Sequence, residues 1–189
     1  MRPIALMFAA LTVLAGAGQA QAQFFDSRGY QSEAPSFFGN GASPIPRATV
    51  NYPTDYAPGT IVVNTAERRL YLVQANGQAL RYGIGVGRDG FRWSGTHRIT
   101  AKKEWPAWTP PSQMLRRRPD LPRHMAGGIE NPLGARAMYL GSTLYRIHGS
   151  NEPETIGQAV SSGCFRMTND DVKDLYDRVS VGTTVVVKN

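Results

Sequence analysis

The sequence reads as a mainly β domain with one short helix near its C-terminal end, and three observations carry that expectation. From Gly59 onward, β-branched and alternating runs of strand length recur; turn dipeptides such as Asn76-Gly77 and Asp89-Gly90 separate them; and only Asn169 to Val179 repeats apolar residues at helical spacing. With 189 residues, 41% of them hydrophobic, one domain of ordinary size can bury a core and leave room for appendages.

Taken in order, Thr60 to Asn64 and Arg69 to Gln74 are strand-like runs split by Thr65-Ala66-Glu67-Arg68. Asn76-Gly77 is a two-residue hairpin signal before a third run, Ala79 to Val86, so the three predict an antiparallel meander. Gly83, Gly85 and Gly87 recur at every second position, which strips one face of that strand of side chains and suits the close approach of another backbone. A phosphate-cradling loop would require a helix directly afterwards, which this spacing lacks. Thr96 to Lys103 alternates as a strand. Glu104 to Pro122 then carries Trp105, Trp108, prolines at 106, 110, 111 and 119, and Arg116-Arg117-Arg118. Long segments of this kind are functional flaps or binding loops in compact domains. Here the tryptophans suit walls and the arginines suit anionic substrate groups, with a solvated charge run beside a structural loop as the other reading. Ala135 to Leu140 and Thr143 to His148 are two apolar strands joined at Gly141-Ser142, and a single turn is expected around Ile156 to Ala159. Thr168 stands as N-cap with Asp171 three residues on, Val172, Leu175, Tyr176 and Val179 share one helical face, and Thr183 to Lys188 is the last strand.

Ahead of this domain, residues 1–22 combine Arg2, an apolar run from Ile4 to Ala17 and small-residue pairs around Ala20 and Ala22. That pattern predicts an exported protein whose leader is cleaved after Ala20 or Ala22, leaving no stable membrane span; an uncleaved anchor is the alternative. Residues 23–58 have scattered aromatics among Ser, Gly, Pro and Asn without periodicity, as expected of a flexible arm, unless those aromatics pack across the domain. The formal charge of +7 suits an acidic envelope partner such as anionic lipid or the carboxylates of wall peptides. No recognition motif or basic helix points to nucleic acid.

Cys164 is the only cysteine, so it forms no internal disulfide, and an unpaired cysteine in an exported chain is a reactive thiol, half of an intermolecular bridge or an inert buried thiol. His148 precedes it by sixteen positions at the end of an apolar run. A thiol with an ordinary pKa near 8.5 needs a base, and a histidine delivered beside it would take the proton and stabilise an imidazolium–thiolate pair. His97, within a strand, and His124, in a loop, read as structural or surface residues. One cysteine with three scattered histidines lacks the spacing of a zinc site, and Asp170, Asp171 and Asp174 read as helix-start and surface charges.

The order Ile147-His148-Gly149-Ser150, then Ile156-Gly157-Gln158-Ala159-Val160, then Ser161-Ser162-Gly163-Cys164-Phe165-Arg166-Met167 resembles the L,D-transpeptidase catalytic domain (YkuD domain). The likeness starts near Gly59, with the Pro-Gly-Thr-Ile-Val-Val-Asn strand, the Tyr-Gly-Ile-Gly-Val-Gly strand and a Ser-Gly-Thr-His sequel, and defines a catalytic domain over 59–189. It implies a β-sandwich of antiparallel and mixed strands with the short helix after the cysteine. By the same resemblance Cys164 is the nucleophile, His148 the general base and later acid, and Gly149 the residue whose carbonyl orients the imidazole. Backbone amides of Ser162, Gly163 and Cys164 would form the oxyanion hole. Arg166 would hold a substrate carboxylate or brace the loop, with Ser161 and Asn169 also toward substrate. No cofactor or metal is implied. The implied donor is a peptidoglycan stem peptide, and the acceptor an amine of a second stem or of an envelope protein; a carboxypeptidase using water as acceptor and a non-catalytic wall-binding module are the alternatives. The family most often has histidine where this chain has Ser162, so a side-chain role there does not carry over.

Overall fold

The computed structural model describes residues 43–189. The expected leader, residues 1–22, and the arm as far as residue 42 lie outside the described residues. The rest of the arm is partly regular. β1 (Ala48–Asn51) pairs antiparallel with β4 (Gln78–Gly83), so the irregular arm expected over 23–58 gives way to an edge strand before its end. Four residues are too few to show a period in the sequence, and it is the exposed edge of β4 that orders them.

β2 (Ile61–Asn64), β3 (Arg69–Val73) and β4 form the expected antiparallel meander. Its second turn places Asn76 and Gly77 at φ 60° and 66°, the backbone region that an Asn-Gly hairpin turn requires. The third run is shorter than predicted: β4 stops at Gly83, and Val86–Gly87 is a separate strand, β5. The alternating glycines explain the break. A Cβ at Gly83 would lie 2.6 Å from Ile45 Cβ, and one at Gly87 would lie 2.5 Å from Phe91 O, so other parts of the chain fill the bare face. Between them Gly85 exchanges two 2.9 Å backbone hydrogen bonds with Arg166, two residues beyond the cysteine.

β6 (Gly95–Glu104) is the strand on which the two wings of the sheet meet. Its first half pairs with β11 (Thr184–Lys188), which also runs parallel to β2. Its second half pairs with β7 (Arg136–Leu140) after a register shift between Ile99 and Ala101. Irregularities of this kind bend a strand, and here the bend lets both wings face one core. Leu70, Leu80 and Tyr82 enter that core from one wing, and Met138, Ile147 and Phe165 from the other. β7 continues antiparallel to β8 (Arg146–His148), which pairs parallel with β10 (Phe165–Arg166). β5 pairs separately with β9 (Ala159–Ser161). The expected strand from Thr143 is trimmed to β8 because Thr143 makes a turn, its hydroxyl donating to Leu140 O and accepting from Tyr145 N–H. The expected single turn is a 3-10 turn at Pro153–Thr155, earlier than predicted, while Ala159 belongs to β9.

The segment from Glu104 to Pro122 contains a short helix, α1 (Ser112–Arg117). The second helix, α2 (Asn169–Arg178), starts as the sequence predicts, with Thr168 Oγ1 accepting the Asp171 N–H at 3.2 Å. Val172 and Leu175 bury its apolar face. Its far end is tied to β6 by Lys102, whose Nζ donates to Tyr176 O and Val179 O at 2.6 Å each and sits 3.9 Å from the Tyr176 ring centroid. These carbonyls are the free acceptors of a helix terminus, where a cation is favourable. Lys102→Met, which keeps the stem and removes the charge, is expected to destabilise the domain by about 2 kcal/mol. Thermal denaturation should show the melting temperature lowered by several degrees; an unchanged value would contradict this account of the α2 terminus.

Candidate active site

Strand alternation on β8 and β10 builds the site. Ile147 and Phe165 are register partners and both point into the core. Their neighbours along each strand therefore point to the opposite face. On that face Arg146 and His148 from β8, and Cys164 and Arg166 at β10, line one cavity of about 370 Å³. Arg166 is the partner of His148, so Cys164 extends the register to a position beside Arg146, with His148 diagonal to it.

The turn carrying the sulfur is fixed from three sides. Ser161 Oγ donates to Cys164 O at 2.6 Å and accepts the Gly163 N–H at 3.1 Å. Gly163 has φ +105°, and a Cβ there would lie 2.5 Å from Tyr145 Cε1, so only glycine suits both the backbone and the space. Trp93 Nε1 donates to Gly163 O at 2.8 Å while its ring stacks on Tyr145 at 4.4 Å between centroids. The sulfur itself lies 3.7 Å from Leu144 O, to which the thiol donates.

His148 is buried, and its Nδ1 lies 2.6 Å from Gly149 O. A carbonyl only accepts, so Nδ1 carries the proton and Nε2 keeps its lone pair. Gly149 cannot bear a side chain, since a Cβ would lie 2.4 Å from Asn169 Oδ1. Burial and then the charge of Arg166 push the imidazole down to about 3; the Gly149 carbonyl opposes this, and Arg146 adds a smaller downward push. Burial also pushes the Cys164 thiol up, with Arg146 and Arg166 pulling it partly back. Both shifts favour the neutral forms, an imidazole facing a thiol, and two arginines with a desolvated ring oppose the third positive charge of an imidazolium–thiolate pair.

Other sequence-derived candidates have different surroundings. Arg166 lines the cavity, but its Nη1 donates to Glu152 Oε2 at 2.7 Å, so it braces the segment leading into the 3-10 turn, the second of its two expected roles. Asn169 Oδ1 accepts the Ala135 N–H at 2.8 Å and packs on Gly149; it supports the histidine from behind and does not line the cavity. Ser161 is buried and braces the turn, whereas Ser162 lines the cavity. The expected substrate-facing places of Ser161 and Asn169 are thus taken by structural hydrogen bonds. From the Trp-rich segment, Trp108, Met114 and Arg117 reach the cavity as a flap would, while Trp105 does not. His97 packs edge-on against Trp93, and His124 Nδ1 lies 3.2 Å from Thr109 Oγ1. Sequence reading did not single out Trp93, Tyr145 or Arg146. Period-two alternation from His148 back to Arg146 was the signal available for the arginine; nothing local marks Trp93, which reaches the turn from a distant loop.

The family model described as YkuD, the L,D-transpeptidase catalytic domain, matches residues 58–187, and the chain belongs to that family. A probable L,D-transpeptidase ErfK/SrfK of Escherichia coli is 41% identical over 136 residues, 67% of this chain and 43% of that protein, so the match spans less than half of that relative's length. Among solved structures, one described as a probable carnitine operon oxidoreductase from Brucella melitensis is 46% identical, covering 83% of this chain and 97% of its own, with a TM-score of 0.52. An L,D-transpeptidase from Mycobacterium smegmatis, 19% identical over 69% of this chain and 58% of its own, shares the fold at a TM-score of 0.56.

Two outcomes follow from the neutral resting pair. Alkylation of Cys164 by iodoacetamide should accelerate with a midpoint above the ordinary thiol value of about 8.5, with no reactive plateau between about pH 5 and 7; such a plateau, read by intact mass against time, would contradict it. The His148 imidazole titrates lower folded than unfolded, so the unfolded chain binds the extra proton between about pH 6.5 and about 3. The resulting penalty is absent above that window and grows as pH falls through it. Melting temperature should therefore fall more steeply across the window in the wild type than in His148→Gln, and parallel curves would contradict the assignment.

Proposed function

We propose that this chain is a peptidoglycan L,D-transpeptidase of the cell envelope. The observation that supports this most is the presentation of Cys164 and His148 to one cavity from neighbouring parallel strands, with His148 Nδ1 bound to Gly149 O. Family membership supplies the substrate class: a tetrapeptide stem cut between its diamino acid and D-alanine.

In this reading the stem's scissile carbonyl enters the cavity beside the sulfur. His148 Nε2 takes the thiol proton as Sγ bonds to the carbonyl carbon, and the π pair moves onto oxygen. The Ser162 and Cys164 amides are the donors proposed for that oxyanion, because the Gly163 N–H is already engaged by Ser161 Oγ. Collapse breaks the C–N bond, His148 returns its proton to the departing D-alanine nitrogen, and a thioester remains on Cys164. An amine from a second stem, or from an envelope protein, then attacks the thioester with His148 again as base. The cationic lining of Arg117 and Arg146 suits a carboxylate-bearing peptide. The flap residues Trp108 and Met114 supply apolar walls that limit water at the thioester.

Cys164→Ala and Cys164→Ser should each lose conversion of a disaccharide-tetrapeptide by orders of magnitude while keeping a native melting transition. Chromatography of wild-type products should show dimers joined between the third residues of two stems. Conversion retained by Cys164→Ala would end this proposal, and products limited to shortened tripeptides would reassign the acceptor to water.

A further inference from the structure

Arg146 lines the cavity and has no part in the proton transfer so far, yet the fold places it beside the sulfur. Its register position on β8 lies opposite Cys164. Its Nη1 donates to Leu144 O at 3.1 Å, and the Cys164 thiol donates to that same oxygen at 3.7 Å. Guanidinium and sulfur therefore converge on one acceptor and are separated by no more than the sum of those two distances. The Nε of Arg146 is buried and, among the described residues, has no hydrogen-bond partner, which is costly for a charged donor that nothing uses. Among the described residues no carboxylate pairs with it, and its guanidinium rests over the Tyr139 ring at 5.2 Å.

We propose that Arg146 is the counter-ion of the Cys164 thiolate, donating to sulfur once the proton has left. This rests on Cys164 being the nucleophile. The neighbouring groups favour Arg146 for the role. From β8, His148 faces the same cavity as a neutral ring before transfer and carries the thiol's own proton after it. From β10, Arg166 is neutralised by Glu152. From the flap, Arg117 lies over the Phe91 ring at 5.0 Å from its centroid. From the preceding turn, Tyr145 stacks on Trp93. The Leu144 carbonyl contributes directly: it accepts from a thiol and repels a thiolate, so loss of the proton releases sulfur from that acceptor. The unpartnered Nε–H can then serve the new charge. In the full step the proton moves from Sγ to His148 Nε2, the electron pair stays on sulfur, and Arg146 donates to it until the S–C bond forms.

The test is the pH profile of Cys164 alkylation by iodoacetamide, followed by intact mass, in wild type, Arg146→Gln and Arg146→Lys, each with its melting temperature recorded. Arg146→Gln should move the midpoint upward by about one pH unit or more, slowing alkylation on the acidic limb about tenfold. Arg146→Lys keeps the charge and should restore most of that rate. A profile for Arg146→Gln that superimposes on wild type overturns the proposal, as does Arg146→Lys behaving like Arg146→Gln while both melt as wild type. Should Arg146→Gln fail to fold, the lysine variant decides alone, a wild-type-like profile supporting the role and a full upward shift refuting it. The readout uses no peptide substrate, so its failure leaves the transpeptidase reading standing, and a wild-type enzyme inactive on stem peptides leaves this result standing.

Discussion

The parallel pairing of β8 with β10 is the constraint from which the site follows. Because Phe165 sits opposite Ile147 and both are buried in the core, their neighbours must point outward together. A slip by one residue would put the sulfur and the imidazole into the hydrophobic interior and expose the two core residues. Hydrophobic burial thus enforces the juxtaposition of Cys164 and His148 without a direct bond between them. Gly85 reinforces the register from the other edge through its paired hydrogen bonds to Arg166.

The same burial sets the electrostatics. Desolvation acts on the thiol and on the imidazole alike, favouring the neutral form of each, and the nearby arginines add to the effect on the ring while opposing it on the sulfur. Charge separation is consequently deferred to the moment of attack. The base stays free to accept at any pH near neutral, and a thiol held as S–H is less open to oxidation than a standing thiolate. Around this pair the supports are rigid: Asn169 packs behind Gly149, Ser161 spans the turn, and Trp93 with Tyr145 clamps Gly163.

Much of this was legible in the residues themselves. Cys164 and His148 stand out by chemistry and spacing, the Asn76-Gly77 hairpin by its turn residues, and α2 by its cap and apolar face. Three of the short strands were not legible, since β1, β9 and β10 show no period of their own and exist because an edge or a parallel neighbour orders them. The roles of Arg166 and Asn169 were equally hidden. An arginine two residues after a lone cysteine and an amide at a helix start look available to substrate until Glu152 and the Ala135 N–H are seen to occupy them. Arg146 was overlooked for the opposite reason: alternation puts it on the cavity face, but nothing in the sequence says that its guanidinium goes without a carboxylate among the described residues.

The central claim, that the sulfur of Cys164 attacks the stem carbonyl while facing a neutral His148, is tested most directly by trapping the acyl-enzyme. Rapid mixing with a disaccharide-tetrapeptide, acid quench, intact mass and peptide mapping would locate any adduct. The account predicts an added mass equal to the stem less its D-alanine, carried by the peptide containing Cys164 and removed by hydroxylamine. Turnover with no adduct on that peptide, or with the adduct on another residue, would contradict it.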